Sequence, residues 1–64
     1  MYRDYVLKKV FADIKNGFSL TVIIAELKEL MTSLADSYMV SQDTNVRDRW
    51  LVLQEFVKVL EEAE

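Results

Sequence analysis

The sequence predicts an all-α fold, a three-helix bundle made of a helical hairpin and a third packed helix. Three stretches of the chain repeat apolar residues at steps of three and four, which is the repeat of one face of an α-helix. The single glycine and a polar, turn-forming segment separate these stretches, and the sequence contains no proline. A chain of 64 residues has room for one small helical domain, residues 1–64.

The first helix is predicted over residues 2–16. Its apolar face, about 140° wide, carries Val6, Leu7, Val10, Phe11 and Ile14. Tyr2 and Tyr5 fall on the polar side, and Lys9 also points away from the apolar face. Gly17 ends the helix, because glycine readily adopts the left-handed conformation of a C-terminal cap.

The second helix is predicted over residues 19–38 and has the most regular pattern in the chain. Nine apolar positions fall within about 140°: Leu20, Ile23, Ile24, Leu27, Leu30, Met31, Leu34, Ala35 and Tyr38. Ser19 is expected to cap its N-terminus by accepting a hydrogen bond from a backbone amide of the first turn. The link to the first helix is short, which predicts that these two helices are antiparallel neighbours.

The third helix is predicted over residues 45–63, after a polar link at residues 39–45. Its apolar positions span about 180°, which is wider than contact with one neighbour requires. Apolar residues make up 52% of the chain, yet a chain this short buries only about 60% of its unfolded surface. These two observations predict that the chain assembles into a homo-oligomer, a dimer or larger.

The residue content argues against several classes of function. The chain has no histidine and no cysteine, so it lacks the commonest catalytic base and the commonest zinc ligands. Glu26 and Glu29 lie three residues apart on the predicted second helix, but on its polar face, where solvent keeps carboxylates ordinary. We therefore expect no enzymatic activity, no cofactor and no metal. The longest apolar run is far shorter than the roughly 18 residues that span a bilayer, and a cytoplasmic location is expected.

Binding between proteins is the function that the sequence favours. We expect a non-enzymatic interaction module, an adaptor, regulator or inhibitor that binds a larger protein and itself. Tryptophan, tyrosine and arginine are the residue types that most often anchor interfaces. The candidate interaction residues are Arg49, Trp50, Val57, Tyr2, Tyr5 and Lys9.

The alternative is a small nucleic-acid-binding regulator that uses the basic N-terminal helix. Arg3, Lys8, Lys9 and Lys15 interleave there with the two tyrosines, and aromatic rings beside cations suit single strands. The formal net charge of −3 makes nucleic acid an unlikely partner, because binders usually carry a strongly basic face. The basic first helix and the acidic last helix are also able to attract each other, within one chain or between chains.

Overall fold

The computed structural model describes residues 2–64 as three α-helices. These are α1 (Tyr2–Lys15), α2 (Leu20–Ser41) and α3 (Thr44–Ala63), and no strand occurs in this part of the chain. The all-α, three-helix prediction is confirmed. The predicted link at residues 39–45 is wrong for most of its length, because α2 runs three residues farther than expected and only Gln42 and Asp43 separate it from α3.

Local hydrogen bonds explain why α2 continues so far. The Ser41 hydroxyl donates to the Ser37 carbonyl oxygen at 3.0 Å, so this polar residue stabilises the last turn of α2 instead of breaking it. Gln42 then adopts a left-handed conformation (φ 52°), and its N–H donates to the Tyr38 carbonyl at 2.7 Å. The Asp43 carboxylate accepts from the Asn45 N–H at 2.9 Å and caps α3.

The corner between α1 and α2 forms as the sequence predicts. Gly17 has φ 88°, in the left-handed region. The Phe18 N–H donates to the Asp13 carbonyl and the Gly17 N–H to the Ile14 carbonyl, both at 3.0 Å, which is the Schellman arrangement at a helix C-terminus. The Ser19 hydroxyl accepts from the Val22 N–H at 3.3 Å and caps α2.

The closest backbone approach in the bundle is between α2 and α3, whereas α1 stands farther from both. α1 and α2 follow one another through the short corner at residues 16–19, but α2 and α3 form the closer pair. The reason is length: α1 has 14 residues and spans about 21 Å, whereas α2 and α3, with 22 and 20 residues, span about 33 and 30 Å. Only α3 is long enough to cover the apolar face of α2. The core residues are Val6, Val10, Ile23, Ile24, Leu27, Leu53 and Val57.

The orientation of α1 about its own axis also differs from the prediction. Val6 and Val10 face the core as expected, but Phe11 and Ile14 are 63% and 50% exposed, while Asp13 is only 8% exposed. The buried side of α1 therefore follows Val6, Val10 and Asp13. The larger apolar side chains Leu7, Phe11 and Ile14 were predicted to face the core, but they lie about a quarter of a turn away from it, and Phe11 and Ile14 are exposed.

Candidate interaction surface

Two lines of apolar side chains lie on one face of the bundle. On α1, Leu7, Phe11 and Ile14 fall within about 60° of one another, and on α3, Val52 and Val59 fall within about 20°. Phe11, Ile14 and Val59 are exposed, the last by 62%, whereas Leu7 and Val52 are half-buried. We call these five residues the α1–α3 face.

A salt bridge shows that the two lines share a side of the molecule. Since α1 and α3 are each antiparallel to α2, they run in the same direction. Arg3 Nη2 donates to Glu55 Oε2 at 2.6 Å. Arg3 lies on the side of α1 that carries Leu7, and Glu55 lies on the side of α3 that carries Val59. The bridge therefore crosses the face between its two apolar lines.

The face is grooved. A depression of about 480 Å³ is lined by Arg3, Glu55, Phe56, Lys58 and Val59, with half-buried Phe56 among the side chains between the two helices. A second depression of about 370 Å³ continues toward the start of α3, where Val52 contributes to its wall. Apolar ridges beside a depression are the shape that receives side chains from another protein surface.

Three of the sequence-predicted interaction residues come together at the N-terminus of α1. The Tyr2 and Tyr5 rings have centroids 5.7 Å apart and are tilted by 31°. Arg49 Cζ lies 5.5 Å from the centroid of the Tyr2 ring, which is cation–π geometry. Burial raises the pKa of the Tyr2 hydroxyl above its ordinary value, the neighbouring Tyr5 adds to this, and the Arg49 charge opposes it. This cluster attaches α1 to α3, while Tyr5 and Arg49 stay exposed.

The other three predicted residues lie apart from that cluster. Half-buried Trp50 lines an apolar depression of about 250 Å³ at the end of the α2–α3 hairpin, together with Tyr38, Met39 and Arg47. Val57 is only 6% exposed and belongs to the core, so its side chain offers no surface to a partner. Its position on the flank of a wide apolar face suggested exposure, but α1 and α2 together cover that flank.

Lys9 belongs to a polar cluster at the α1–α2 interface that the sequence analysis did not foresee. Its Nζ lies 3.8 Å from Glu26 Oε2, and both side chains are about one-third exposed. Glu26 Oε2 and Asp13 Oδ2 are buried, and neither atom has a hydrogen-bond partner among residues 2–64. The 3–4 spacing of Val6, Val10 and Asp13 places Asp13 on the core side of α1, and this spacing is the signal in the sequence that identifies it.

The neighbourhood of Asp13 and Glu26 affects the pKa of Glu26. Two ionised carboxylates have only acceptor atoms, so a hydrogen bond between them requires a proton on one. A proton shared with Asp13 favours the neutral form of Glu26, so the neighbouring Asp13 carboxyl raises the pKa of Glu26 above its ordinary value. Burial and the negative charges of Asp13 and Glu29 raise it further, whereas Lys9 lowers it. The expectation that Glu26 is an ordinary solvated carboxylate is therefore wrong, because α1 covers that side of α2.

The arrangement of charges reduces the basic surface that nucleic-acid binding requires. Of the four cations on α1, Arg3 and Lys9 lie against Glu55 and Glu26. Lys8 and Lys15 are the α1 cations without a carboxylate within 4 Å in the part of the chain that the structure describes.

Within residues 2–64, no group of three or more metal-ligating side chains is present, and no helix has the length and apolar character to cross a membrane.

Comparison of the chain with protein-family models, with curated proteins and with solved structures finds no match.

Proposed function

We propose that this protein is a non-enzymatic interaction module, an adaptor, regulator or inhibitor that binds protein surfaces through the α1–α3 face. The observation that carries the proposal is the group of exposed apolar side chains Phe11, Ile14 and Val59 on two neighbouring helices, with a depression of about 480 Å³ beside Val59. An apolar surface of this kind, bordered by charged residues, marks an interaction site in a small protein. The cytoplasmic location remains a prediction from the sequence.

Phe11 is the anchor of this surface in the proposal. Its ring is exposed at the centre of the α1 line, between Leu7 and Ile14. Aromatic side chains give interfaces large contact area at a low cost in conformational entropy, and a few such anchors provide most of the binding energy. The same ring contributes little to the core, so its type is explained better by binding than by folding.

A photo-cross-linking experiment tests the proposal. A phenylalanine analogue that carries a benzophenone replaces Phe11 in one sample and Val40 in a control. Val40 is the most exposed large apolar residue described and lies near the end of α2, away from the α1–α3 face. The full chain is expressed in its host cell, irradiated and recovered, and its adducts are separated by mass.

We expect discrete protein adducts from position 11 and background labelling from position 40. An adduct that contains a second copy of the chain and an adduct with a different protein both support binding through this face. Equal, diffuse labelling from the two positions, in chains with the same helical circular dichroism, contradicts the proposal.

A further inference from the structure

We propose that the attachment of α1 to α2 is a pH-sensitive device built into the fold. In the docked state, the carboxyl groups of Asp13 and Glu26 meet at the α1–α2 interface and share one proton. When this proton passes to solvent, the second half of α1 loosens from α2. The change needs no partner molecule, so it is separate from the binding proposed for the α1–α3 face.

Asp13 supplies the first carboxyl group of this pair. The residue is only 8% exposed, and its Oδ2 atom is buried without a hydrogen-bond donor among residues 2–64. No lysine or arginine nitrogen in that part of the chain lies within 4 Å of its carboxylate. A carboxylate oxygen that gives up water for neither a donor nor a cation is unfavourable in a folded protein. The position of Asp13 therefore requires a compensating group on α2.

Glu26 supplies the second carboxyl group. Its Oε2 atom is also buried without a hydrogen-bond donor among residues 2–64, although the side chain as a whole is about one-third exposed. The carboxyl groups of Asp13 and Glu26 are close enough for a hydrogen bond. Since an ionised carboxylate only accepts hydrogen bonds, this bond forms only while a proton remains on one of the two groups. A single proton therefore stabilises both buried carboxyl groups.

The other charges around Glu26 replace this proton only in part. They are Asp13 and Lys9 of α1 and Glu29 of α2, and within residues 2–64 α3 adds none. Lys9 Nζ lies 3.8 Å from Glu26 Oε2, which is farther than a hydrogen bond reaches. The raised pKa of Glu26 agrees with this arrangement: the hydrogen bond with Asp13 raises it most, burial and the two acids add to the effect, and Lys9 opposes it.

The attachment of α1 is weak enough for one proton to change it. Among residues 2–64, α1 contributes only the small side chains of Val6 and Val10 to the buried apolar core. The first turn of α1 is bound to α3 by the salt bridge between Arg3 and Glu55. Asp13 lies near the other end of the helix, just before the corner that leads to α2. Loss of the proton therefore acts on the end of α1 opposite the one that this salt bridge holds.

The direction of the pH dependence follows from where the proton is held. The docked state raises the pKa of Glu26, whereas a detached α1 leaves this carboxyl group in solvent with its ordinary pKa. The contribution of the pair to docking is therefore fully present below the ordinary pKa and is lost as the pH rises through the raised one. Phe11 and Ile14 lie on the same half of α1, so this exposed apolar line moves with the helix.

Amide hydrogen exchange of the full chain, followed residue by residue by NMR, tests the proposal. Protection factors correct for the intrinsic pH dependence of exchange, and those of α1 are compared with those of the α2–α3 hairpin at about pH 4 and about pH 7. The variants are Glu26→Gln, Lys9→Gln and, as a matched control, Asp36→Asn, which removes an exposed acid farther along α2. Circular dichroism checks that each variant is folded.

We expect the protection of α1, relative to that of the hairpin, to fall several-fold from the lower to the higher pH in the wild type and in Asp36→Asn. Glu26→Gln should keep its α1 protection, because the amide donates to Asp13 at either pH. Lys9→Gln should lose more protection than the wild type, because the cation that opposes the two acids is gone. Equal relative protection of α1 at both pH values in the wild type overturns the inference, and so does a fall in Glu26→Gln as large as that in the wild type.

Discussion

The α2–α3 hairpin and α1 are attached to this fold by different contacts. Of the seven apolar side chains that are buried, five belong to α2 and α3, whereas α1 supplies only Val6 and Val10. Side chains at the edges of the interfaces supplement these two valines: the Arg3–Glu55 and Lys9–Glu26 pairs and the Tyr2 ring under Arg49. Exposed ion pairs contribute little to stability, so α1 is held less firmly than the hairpin.

The apolar side chains that α1 buries are smaller than the ones it exposes. Phe11 and Ile14 are bulkier than the valines that α1 buries, yet they face solvent. In the α2–α3 hairpin, by contrast, the buried side chains include the large residues Ile23, Leu27 and Leu53. This contrast teaches that the fold is built chiefly on the hairpin, whereas the surplus apolar residues of α1 form a surface. Substitutions in the two regions should therefore separate stability from binding.

The largest effect on stability is expected from Leu53→Ala. Leu53 is 0% exposed at the centre of the core, and its truncation leaves a cavity as well as removing buried methyl groups. We expect a loss of about 3 kcal/mol in the free energy of unfolding, measured by urea denaturation. Leu51→Ala, two residues away on the exposed side of α3, is the matched control and should cost well under 1 kcal/mol. Equal losses of stability in Leu53→Ala and Leu51→Ala would contradict the placement of Leu53 in the core and Leu51 at the surface.

A smaller effect is expected at the corner that joins the two regions. Gly17 has φ 88°, and a Cβ added there meets no heavy atom within 4 Å, so substitution costs backbone strain alone. We expect Gly17→Ala to lower stability by about 1 kcal/mol, seen as a drop in Tm. Gly17→Asn should cost less, because asparagine adopts the left-handed conformation more readily than alanine. If both variants melt at the wild-type temperature, the Schellman corner contributes nothing.

The polar contacts of α1 have a pH dependence of definite sign. The pKa of Glu26 is raised in the folded state, so its contribution to stability is fully present below the unfolded pKa and is lost as the pH rises through the folded pKa. Once Glu26 ionises, it faces the acids Asp13 and Glu29, and Lys9 compensates only in part. Glu26→Gln avoids this loss and keeps an amide that is able to donate to Asp13.

We therefore expect Glu26→Gln to be more stable than the wild type at pH 7 and to lose that advantage at about pH 4. Urea denaturation at the two pH values measures the difference. The control is Glu29→Gln, an exposed acid on the same helix that should give little change at either pH. A wild type that is more stable than Glu26→Gln at pH 7 would show that the Lys9 contact outweighs the repulsion between the carboxylates.

Much of this architecture follows from the sequence alone. Features that depend only on neighbouring residues were predicted correctly, because a residue's own conformation or the helical period determines each one. They are the number of helices, the Gly17 corner, the Ser19 cap and the inward line of α2. The end of α2 was misplaced because polar residues such as Ser41 favour turns but also donate hydrogen bonds within a helix. The turn propensity of Ser41 alone does not show whether this residue ends α2 or continues it.

The candidate surface was harder to predict because it depends on how α1 is rotated. The apolar residues of α1 form two groups, one with Val6 and Val10 and one with Phe11 and Ile14. Assigning all apolar residues of the helix to one face merges these two groups. Packing against the other helices decides which group faces inward: Val6 and Val10 join the core residues of α2 and α3. Such contacts join residues far apart in the chain, so helical periodicity does not contain them. Tyr2, Tyr5 and Arg49 were predicted from residue type and stay predictions, whereas the α1–α3 face was not among the predicted candidates.

The smallest effect on stability, and the largest on association, is expected from Phe11→Ser. Because Phe11 is 63% exposed and outside the core, its truncation should change the free energy of unfolding of the monomer by less than about 0.5 kcal/mol. Association adds to apparent stability in proportion to the logarithm of concentration, so the wild-type Tm should rise with protein concentration while that of Phe11→Ser stays constant. Val40→Ser, at a still more exposed site away from the face, should keep the wild-type dependence. A Tm that rises equally in all three proteins would place self-association on another surface, and a large loss in dilute Phe11→Ser would mean that this ring belongs to the core after all.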